Sequence, residues 1–110
     1  MAQLTYRESV SLAIAQAMRK DPKVFFIGED VGAAGGVFKA TVGLLDEFGK
    51  ERVMDAPISE QAILGAAMGA AMTGLRPIAE IMFSDFLAVC WDIIATVSYT
   101  HLTLPTILRV

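Results

Sequence analysis

Apolar and polar positions along this chain switch between a helical period and short continuous runs, which predicts helices and strands in turn. Thr5 and Glu8 have the spacing of a capping box, in which a hydroxyl and a carboxylate satisfy the first free amides of a helix. Apolar residues then recur at helical spacing until Asp21 and Pro22 interrupt the pattern. These apolar residues are Val10, Ala13, Ile14, Ala17 and Met18. We therefore predict a first helix with one apolar stripe.

Short apolar runs after this helix predict strands. Residues 24–27 are continuously apolar between Pro22 and Gly28, which is typical of a parallel strand buried on both faces. Residues 53–54 and 78–83 predict two further strands. Two more helices are predicted: one capped by Thr41, with Leu44, Leu45 and Phe48 inward and Gly49 at its end, and one capped by Ser84 or Asp85 that ends near Ala95.

The stretch 55–74, DAPISEQAILGAAMGAAMTG, predicts a central helix that is apolar on every side. Such a helix is stable only when other protein surrounds it. Ser59 is a suitable N-cap, residues 61–73 form the helix, and Gly74 ends it. Gly65 and Gly69 lie one turn apart, so we expect a neighbouring backbone to approach closely there. Glu60 then lies at the start of this helix.

Alternation of strands and helices predicts a layered α/β domain with a mostly parallel sheet. Ligands of such sheets bind beyond the carboxyl ends of the strands, where Glu29 and Glu60 both fall. Each acid also has a simpler interpretation. Glu60 could serve only the helix dipole, and Glu29 could be a solvated loop residue. Glu80, inside a predicted strand, is expected to be an edge or ion-pair residue with Arg76 as the nearest partner.

Composition and charge narrow the function classes. The chain of 110 residues has room for one domain, and its 55% hydrophobic content with a mean hydropathy of +0.54 suggests that a partner surface is missing. A net charge of −3 without runs of like charge argues against nucleic-acid binding and against an anionic membrane surface. The start of the chain has no targeting pattern, so we expect a cytoplasmic protein.

Single cysteine and histidine residues limit the chemistry that this chain can carry alone. Cys90 is the only cysteine, so the chain cannot form an internal disulfide, and we expect Cys90 to be a small buried residue. His101 is the only histidine, so this chain alone cannot build a site from several histidines. The glycine-rich segment 31–39 contains neither GxGxxG nor GxxxxGK[ST], so no phosphate-binding loop is predicted, and Gly35 and Gly36 indicate a tight turn.

Four segments resemble a known enzyme family: FFIGEDVG, GGVFKATVGL, DAPISEQAILGAAMGAAMTGLRPIAEIMF and SDFLAVCWD. They are similar to the β subunit of the thiamin-diphosphate-dependent, decarboxylating component of 2-oxo acid dehydrogenases, the pyruvate, branched-chain and acetoin group. The resemblance covers residues 1–95. It implies the N-terminal part of a transketolase-like pyrimidine-binding domain, an α/β fold with helices on both faces of a mostly parallel sheet, here truncated.

The resemblance also implies roles for four residues. Glu60 matches the catalytic glutamate whose carboxyl bonds a pyrimidine nitrogen of thiamin diphosphate, although Ala56 replaces the family's usual threonine nearby. Ile58 and Phe86 match the apolar and aromatic contacts of the pyrimidine ring. Glu29 matches an acid of a buried network that links paired active sites. None of the four is a metal ligand, because in this family the α subunit holds the diphosphate and magnesium.

The family works as an α2β2 assembly with a lipoyl acyltransferase core, and it decarboxylates a small 2-oxo acid with acyl transfer to the lipoyl carrier. Acetoin cleavage is the nearest alternative activity, and a transketolase-like or deoxyxylulose-phosphate-synthase-like enzyme is a more distant one. A non-catalytic assembly module or an inactive truncated product is the alternative outside enzymes.

Residues 96–110, TVSYTHLTLPTILRV, depart from the family pattern. Residues 97–106 match the translation of a transposon-based sequencing adapter, so we interpret this tail as foreign and the chain as the front part of a longer β subunit. Alone, the fragment is expected to be inactive.

Overall fold

A three-stranded parallel sheet organises the molecule. This computed structural model describes residues 3–103, and the elements follow in the order α1 (Tyr6–Lys20), β1 (Val24–Gly28), α2 (Leu44–Phe48), β2 (Val53–Asp55), α3 (Glu60–Met72), β3 (Arg76–Ala79), a 3₁₀ helix (Ser84–Cys90) and a π-helix (Ile93–Thr103). The strand order is β2-β1-β3, and β1 pairs with both neighbours. The predicted strand over residues 24–27 is confirmed, and it is the central strand of the sheet.

Helices cover both faces of the sheet. On one face α1 and α2 enclose a core that includes Met18, Phe26 and Val53. On the other face α3 packs Ile63 and Ala67 against Ile27 of β1. The predicted fold class, an α/β domain with a parallel sheet and helices on both faces, is therefore confirmed.

The capping box at the start of α1 forms as predicted. The amide of Thr5 donates to the carboxylate of Glu8 at 2.7 Å, and the amide of Glu8 donates to the Thr5 hydroxyl oxygen at 3.3 Å. The predicted stripe is only partly buried. Met18 lies in the core, whereas Val10 remains exposed because α1 reaches the sheet only with its C-terminal half.

The predicted helix cap at Thr41 is wrong. The Thr41 hydroxyl is fully buried and donates to the carbonyl oxygen of Val31 at 2.7 Å, so it fastens the preceding loop instead. Gly43, with a φ of +83°, takes the N-cap position of α2. Gly49 ends α2, as predicted. A hydroxyl that can satisfy a buried carbonyl gains more there than at an exposed helix end.

The third strand and the last helix differ from the predicted bounds. β3 begins at Arg76 and ends at Ala79, because its pairing register with β1 is fixed at Val24 and Ile27. The predicted helix end near Ala95 is also wrong, since helical backbone continues to Thr103 in the π-helix. Once a helix has begun, each added residue gains one hydrogen bond, so weak periodicity alone does not stop it.

The central helix forms close to its predicted bounds, but two of its details differ. Ser59 holds the N-cap position without a side-chain hydrogen bond. A side-chain carbon added at Gly65 or Gly69 would meet nothing within 4 Å, so the close neighbour predicted there is absent from residues 3–103. Gly74 has a φ of +96° and follows the helix as predicted. One face of α3 is therefore open.

Arg52 joins the edge of the sheet to the end of α1. Its guanidinium donates to the carbonyl oxygens of Met18 (2.7 Å), Asp21 (2.9 Å) and Val24 (2.7 and 3.0 Å). The same group lies 5.2 Å from the centre of the Phe48 ring. One cation thus satisfies carbonyls that the end of a helix leaves free.

No helix within residues 3–103 has both the length and the apolar character needed to span a lipid bilayer.

We expect Arg52→Met to lower the free energy of unfolding by about 2–3 kcal/mol, because partly buried carbonyl oxygens lose a charged donor. Arg19→Met is the matched control. Arg19 pairs with Glu47 at the surface, and exposed pairs contribute roughly 0–1 kcal/mol. Urea unfolding followed by circular dichroism measures both variants, and equal effects would contradict the role given to Arg52.

The capping box also predicts a pH dependence. Hydrogen bonds from the Thr5 hydroxyl and amide lower the pKa of Glu8 below its ordinary value of 4.5. A lowered folded-state pKa stabilises the fold above pH 4.5 and loses that contribution as the pH falls through the folded value. Glu8→Gln should therefore flatten the acid side of the stability profile. The same change at the exposed Glu51 should leave the profile unaltered, and an unchanged slope in Glu8→Gln would refute this account.

Candidate functional site

Three chain segments leave the sheet at its carboxyl edge. Gly28 of β1 lies in register with Asp55 of β2, and Ala79 of β3 lies beside Ile27. Two backbone hydrogen bonds extend the pairing past the strand ends, from Ala56 to Gly28 (2.8 Å) and from Glu80 to Ile27 (2.9 Å). The segments that follow each strand are thus held side by side, where parallel sheets bind ligands.

Glu60 is buried at this edge. It is the first residue of α3, and only 8% of its surface is exposed. The amino end of a helix favours a negative charge there, so the simple dipole interpretation still holds. No described residue donates a hydrogen bond to its carboxylate, so the acceptor oxygens are available to a ligand.

Glu29 is buried at the same edge and lacks a partner for one oxygen. The residue is 7% exposed, and its Oε1 has no hydrogen-bond donor within the described part of the chain. The alternative of a solvated loop residue is therefore wrong. A buried carboxyl oxygen without a donor is costly, so such an atom calls for a hydrogen-bond donor from another molecule.

Glu80 is a third acid at this edge, and the sequence pattern missed it. The predicted ion pair with Arg76 is wrong, because Arg76 pairs with Asp21 at 3.3 Å. Desolvation by partial burial raises the pKa of Glu80. A side-chain carbon placed on Gly28 would come within 3.0 Å of Glu80 Cβ, so glycine leaves the room that this acid occupies. If the strand had been predicted to end at Ala79, Glu80 would have been expected directly after a strand, in the same position as Glu29.

Cys90 lies in the same 3₁₀ helix as Phe86. Burial raises the pKa of the Cys90 thiol, and the nearby carboxylates of Glu60 and Asp92 act in the same direction. The thiol lies 3.7 Å from the carbonyl oxygen of Phe86, one turn back along the 3₁₀ helix. Cys90 is fully buried, as predicted. The side-chain amide of Gln61, next to Glu60 in α3, donates to Asp92 at 3.3 Å, so the start of α3 is joined to the chain just after this 3₁₀ helix.

The remaining predicted site residues are accessible. Phe86 is 38% exposed, so part of its ring is open to a ligand. Ile58 is 85% exposed and projects from the segment between β2 and α3. The structure thus buries both predicted acids at the carboxyl edge and leaves both predicted apolar contacts uncovered.

The glycine-rich segment 31–39 lies against the same edge. The amide of Gly32 donates to Asp55 Oδ1 at 2.7 Å, and a side-chain carbon on Gly32 would lie 2.6 Å from Asp55 Oδ2. Gly35 and Gly36 have φ values of +72° and +79°, which confirms the predicted tight turn. This loop is therefore fastened to the end of β2, from which the chain continues to Glu60.

Carboxyl groups and a phenyl ring determine which ligands the carboxyl edge of the sheet can bind. Carboxyl groups can accept a hydrogen bond or hold a proton, and an open phenyl ring can pack on a flat apolar ligand. Within residues 3–103 no three histidine, cysteine, aspartate or glutamate side chains are placed to hold a metal ion. A separate groove of about 480 Å³ along the C-terminal half of α3 is lined by residues such as Leu64, Met68 and Ile94, and its lining contains no titratable group.

Known proteins similar to this chain were found in two comparisons. The chain is 54% identical over 87 residues to the 2-oxoisovalerate dehydrogenase subunit beta of Bacillus subtilis, covering 79% of this chain and 27% of that protein. It is 51% identical over 87 residues to the pyruvate dehydrogenase E1 component subunit beta of Acholeplasma laidlawii, with the same coverage. It is 50% identical over 101 residues to the Bacillus subtilis acetoin:2,6-dichlorophenolindophenol oxidoreductase subunit beta, covering 81% of this chain and 30% of that protein.

These relatives confirm the resemblance that the four sequence segments indicated. The chain spans less than a third of the length of each of them. The protein family described as the transketolase pyrimidine-binding domain matches residues 2–110 of this chain. Together with the parallel sheet and its helices, this match shows that the chain belongs to the transketolase pyrimidine-binding domain family.

Proposed function

We propose that this chain binds the aminopyrimidine half of thiamin diphosphate as part of the β subunit of a 2-oxo acid dehydrogenase. The observation that carries the proposal is Glu60, a carboxyl group that is 8% exposed, has no donor among the described residues and lies at the carboxyl edge of a parallel sheet. The relatives' names support the same class of enzyme.

In this proposal Glu60 is the catalytic residue. Its carboxyl group would form a hydrogen bond with a ring nitrogen of the pyrimidine and would hold a proton there. Thiamin diphosphate, when bound, supplies the ionised carbon and the electron sink for decarboxylation. The burial of Glu60 fits this role, because exclusion of water strengthens a hydrogen bond to a ligand.

Ile58 and Phe86 are proposed to hold the pyrimidine ring between them. Both are apolar and exposed, and the hydrogen bond from Gln61 to Asp92 joins the start of α3 to the chain just after the helix that carries Phe86. An exposed aromatic ring together with a buried acid suits a ligand with a flat ring and polar nitrogens.

Glu29 is proposed to belong to a buried acidic network that links paired active sites. Its unpartnered Oε1 supports this role, since that oxygen requires a proton or a donor that the described residues do not supply. A neighbouring carboxyl group that keeps its proton would provide one.

We propose an α2β2 enzyme in which the α subunit holds the diphosphate and magnesium, and which works with a lipoyl acyltransferase core. The open face of α3 at Gly65 and Gly69 supports a missing protein neighbour, because interior helix glycines cost roughly 1 kcal/mol each relative to alanine. The proposed location is the cytoplasm, and no role with nucleic acid or membrane is proposed.

Two substrate classes fit the relatives. A small 2-oxo acid, pyruvate or a branched-chain one, is the first proposal, with acyl transfer to the lipoyl carrier. Acetoin is the second, because the acetoin relative matches over 101 residues at 50% identity. Turnover with a panel of these compounds in the complete αβ enzyme separates the two.

The family match extends to residue 110, whereas the three relatives cover only 79–81% of this chain. We propose that the family sequence ends near Ala95 and that residues 96–110 are foreign, since residues 97–106 match a translated adapter. Resequencing source DNA across the codon for Thr96 tests this: a frame that continues into family sequence supports the proposal. Recovery of the present tail from the genome would refute it and would favour an inactive product.

Glu60→Gln in the complete αβ enzyme should lower decarboxylation about 100-fold or more, the scale of a lost proton-transfer group. The amide keeps the size of the side chain but cannot share its proton in the same way. An assay with an artificial electron acceptor measures turnover at saturating cofactor.

Glu51→Gln is the matched control, because Glu51 is exposed and lies before β2 rather than after it. It should retain normal turnover. Near-normal decarboxylation by Glu60→Gln would remove Glu60 from the mechanism, and wild-type enzyme without cofactor-dependent turnover would favour the non-catalytic assembly module.

A further inference from the structure

Three phenyl rings form a continuous line from the glycine-rich loop to Phe86. The ring centres of Phe38 and Phe83 lie 5.4 Å apart at an interplanar angle of 75°. Those of Phe83 and Phe86 also lie 5.4 Å apart, at 72°. Both pairs have the edge-to-face geometry that aromatic rings prefer. We call these three residues the phenyl ladder.

The outer ring belongs to a turn that is braced on both sides. The amide of Gly36 donates to the carbonyl oxygen of Asp30 at 2.8 Å, and the amide of Lys39 donates to that of Gly36 at 3.0 Å. Lys39 has a φ of +58°, and its ammonium group donates to the carbonyl oxygen of Ala34 at 2.6 Å. The turn therefore presents Phe38 in a defined direction.

The base of the same loop is fastened to the acid-bearing edge. Gly32 is bonded to Asp55, and Thr41 is bonded to Val31, both at 2.7 Å. The loop thus contacts the proposed cofactor site twice. It is bonded at its base to the strand that leads to Glu60, and its tip contacts Phe86 through Phe83.

Burial alone does not explain the ladder. Phe38 is 55% exposed and Phe83 is 43% exposed, so neither ring fills a core. Each ring gives up rotational freedom to hold its edge-to-face contact while remaining largely in water. An arrangement of this kind fits a role in orienting a neighbour.

We propose that Phe38 and Phe83 are positioning residues that orient Phe86 against the pyrimidine ring and couple the glycine-rich loop to cofactor binding. This inference rests on the proposed function, in which Phe86 contacts the cofactor. Because coupling between two sites is reciprocal, bound cofactor holds the loop in place to the same degree that the loop strengthens cofactor binding.

The first test measures the dissociation constant of thiamin diphosphate in the complete αβ enzyme. Phe38→Leu and Phe83→Leu should each weaken binding about two- to tenfold, the fold-change expected from one lost aromatic pair. The double variant should bind thiamin diphosphate no more weakly than Phe83→Leu alone, because both changes break the same ladder. Additive effects, or unchanged affinity, would overturn the proposal.

Val37→Ala is the matched control. Val37 is exposed, precedes Phe38 in the same turn and takes no part in the ring contacts. It should bind cofactor normally, and Phe38→Tyr, which keeps the ring, should restore normal binding. Loss of affinity in Val37→Ala equal to that in Phe38→Leu would show a general loop effect and would overturn the role of the ladder.

Limited trypsin cleavage after Lys39 tests the coupling by a route independent of turnover. Thiamin diphosphate should slow this cleavage in the wild-type enzyme, and Phe83→Leu should abolish that protection. If Phe83→Leu does not assemble, Phe38→Leu, at the exposed end of the ladder, is used in the same assay. Equal protection in variant and wild type would refute the coupling.

Phe86→Ala separates a failure of this inference from a failure of the proposed function. Unchanged cofactor affinity in Phe86→Ala would overturn the cofactor contact at Phe86, and with it this inference. Weaker affinity in Phe86→Ala, together with normal affinity in both Phe38→Leu and Phe83→Leu, would overturn the inference alone.

Discussion

Parallel pairing of the three strands is the constraint on which the rest of this structure depends. Because β1 is bonded on both sides, its register fixes where β2 and β3 end, and all three carboxyl ends meet at one edge. Glu29 and Glu80 directly follow two of these ends, and Glu60 follows the third after a short connection. A parallel sheet therefore gathers acids that lie far apart in the sequence at one place.

Burial of these acids runs against the stability of so small a domain. Glu29 and Glu60 are both more than nine-tenths buried, and one oxygen of Glu29 has no donor within the described residues. Unpaired buried carboxyl groups are costly, whereas a buried hydrogen-bonded one is not. Stabilisation comes from elsewhere, chiefly two apolar cores on opposite faces of the sheet and the carbonyl contacts of Arg52. The buried acids thus lie at the edge of the sheet, and the contacts that stabilise the fold lie on its faces.

The open face of α3 is a second feature that does not contribute to fold stability. Its inner face packs Ile63 and Ala67 into the core, while Gly65 and Gly69 have no neighbour in the described chain. Glycine in a helix interior weakens it, so tight packing against another backbone is the usual reason for its presence. The domain therefore carries its own sheet and core, while the face of α3 at Gly65 and Gly69 stays open within residues 3–103.

Local signals in the sequence determined much of this fold and the two central acids. The capping box at Thr5, the apolar strand of residues 24–27 and the glycine that ends α3 act within a few residues, so pattern alone predicts them. Glu29 and Glu60 were found because each follows or begins a recognisable element. Tertiary structure alone decided that Thr41 bonds the loop rather than capping α2, that Arg76 pairs with Asp21, and that Glu80 joins the edge. It alone assembled the phenyl ladder from residues 38, 83 and 86. The reason is physical: a polar or aromatic side chain takes the best partner within reach in space, and spacing along the chain does not reveal which partner that is.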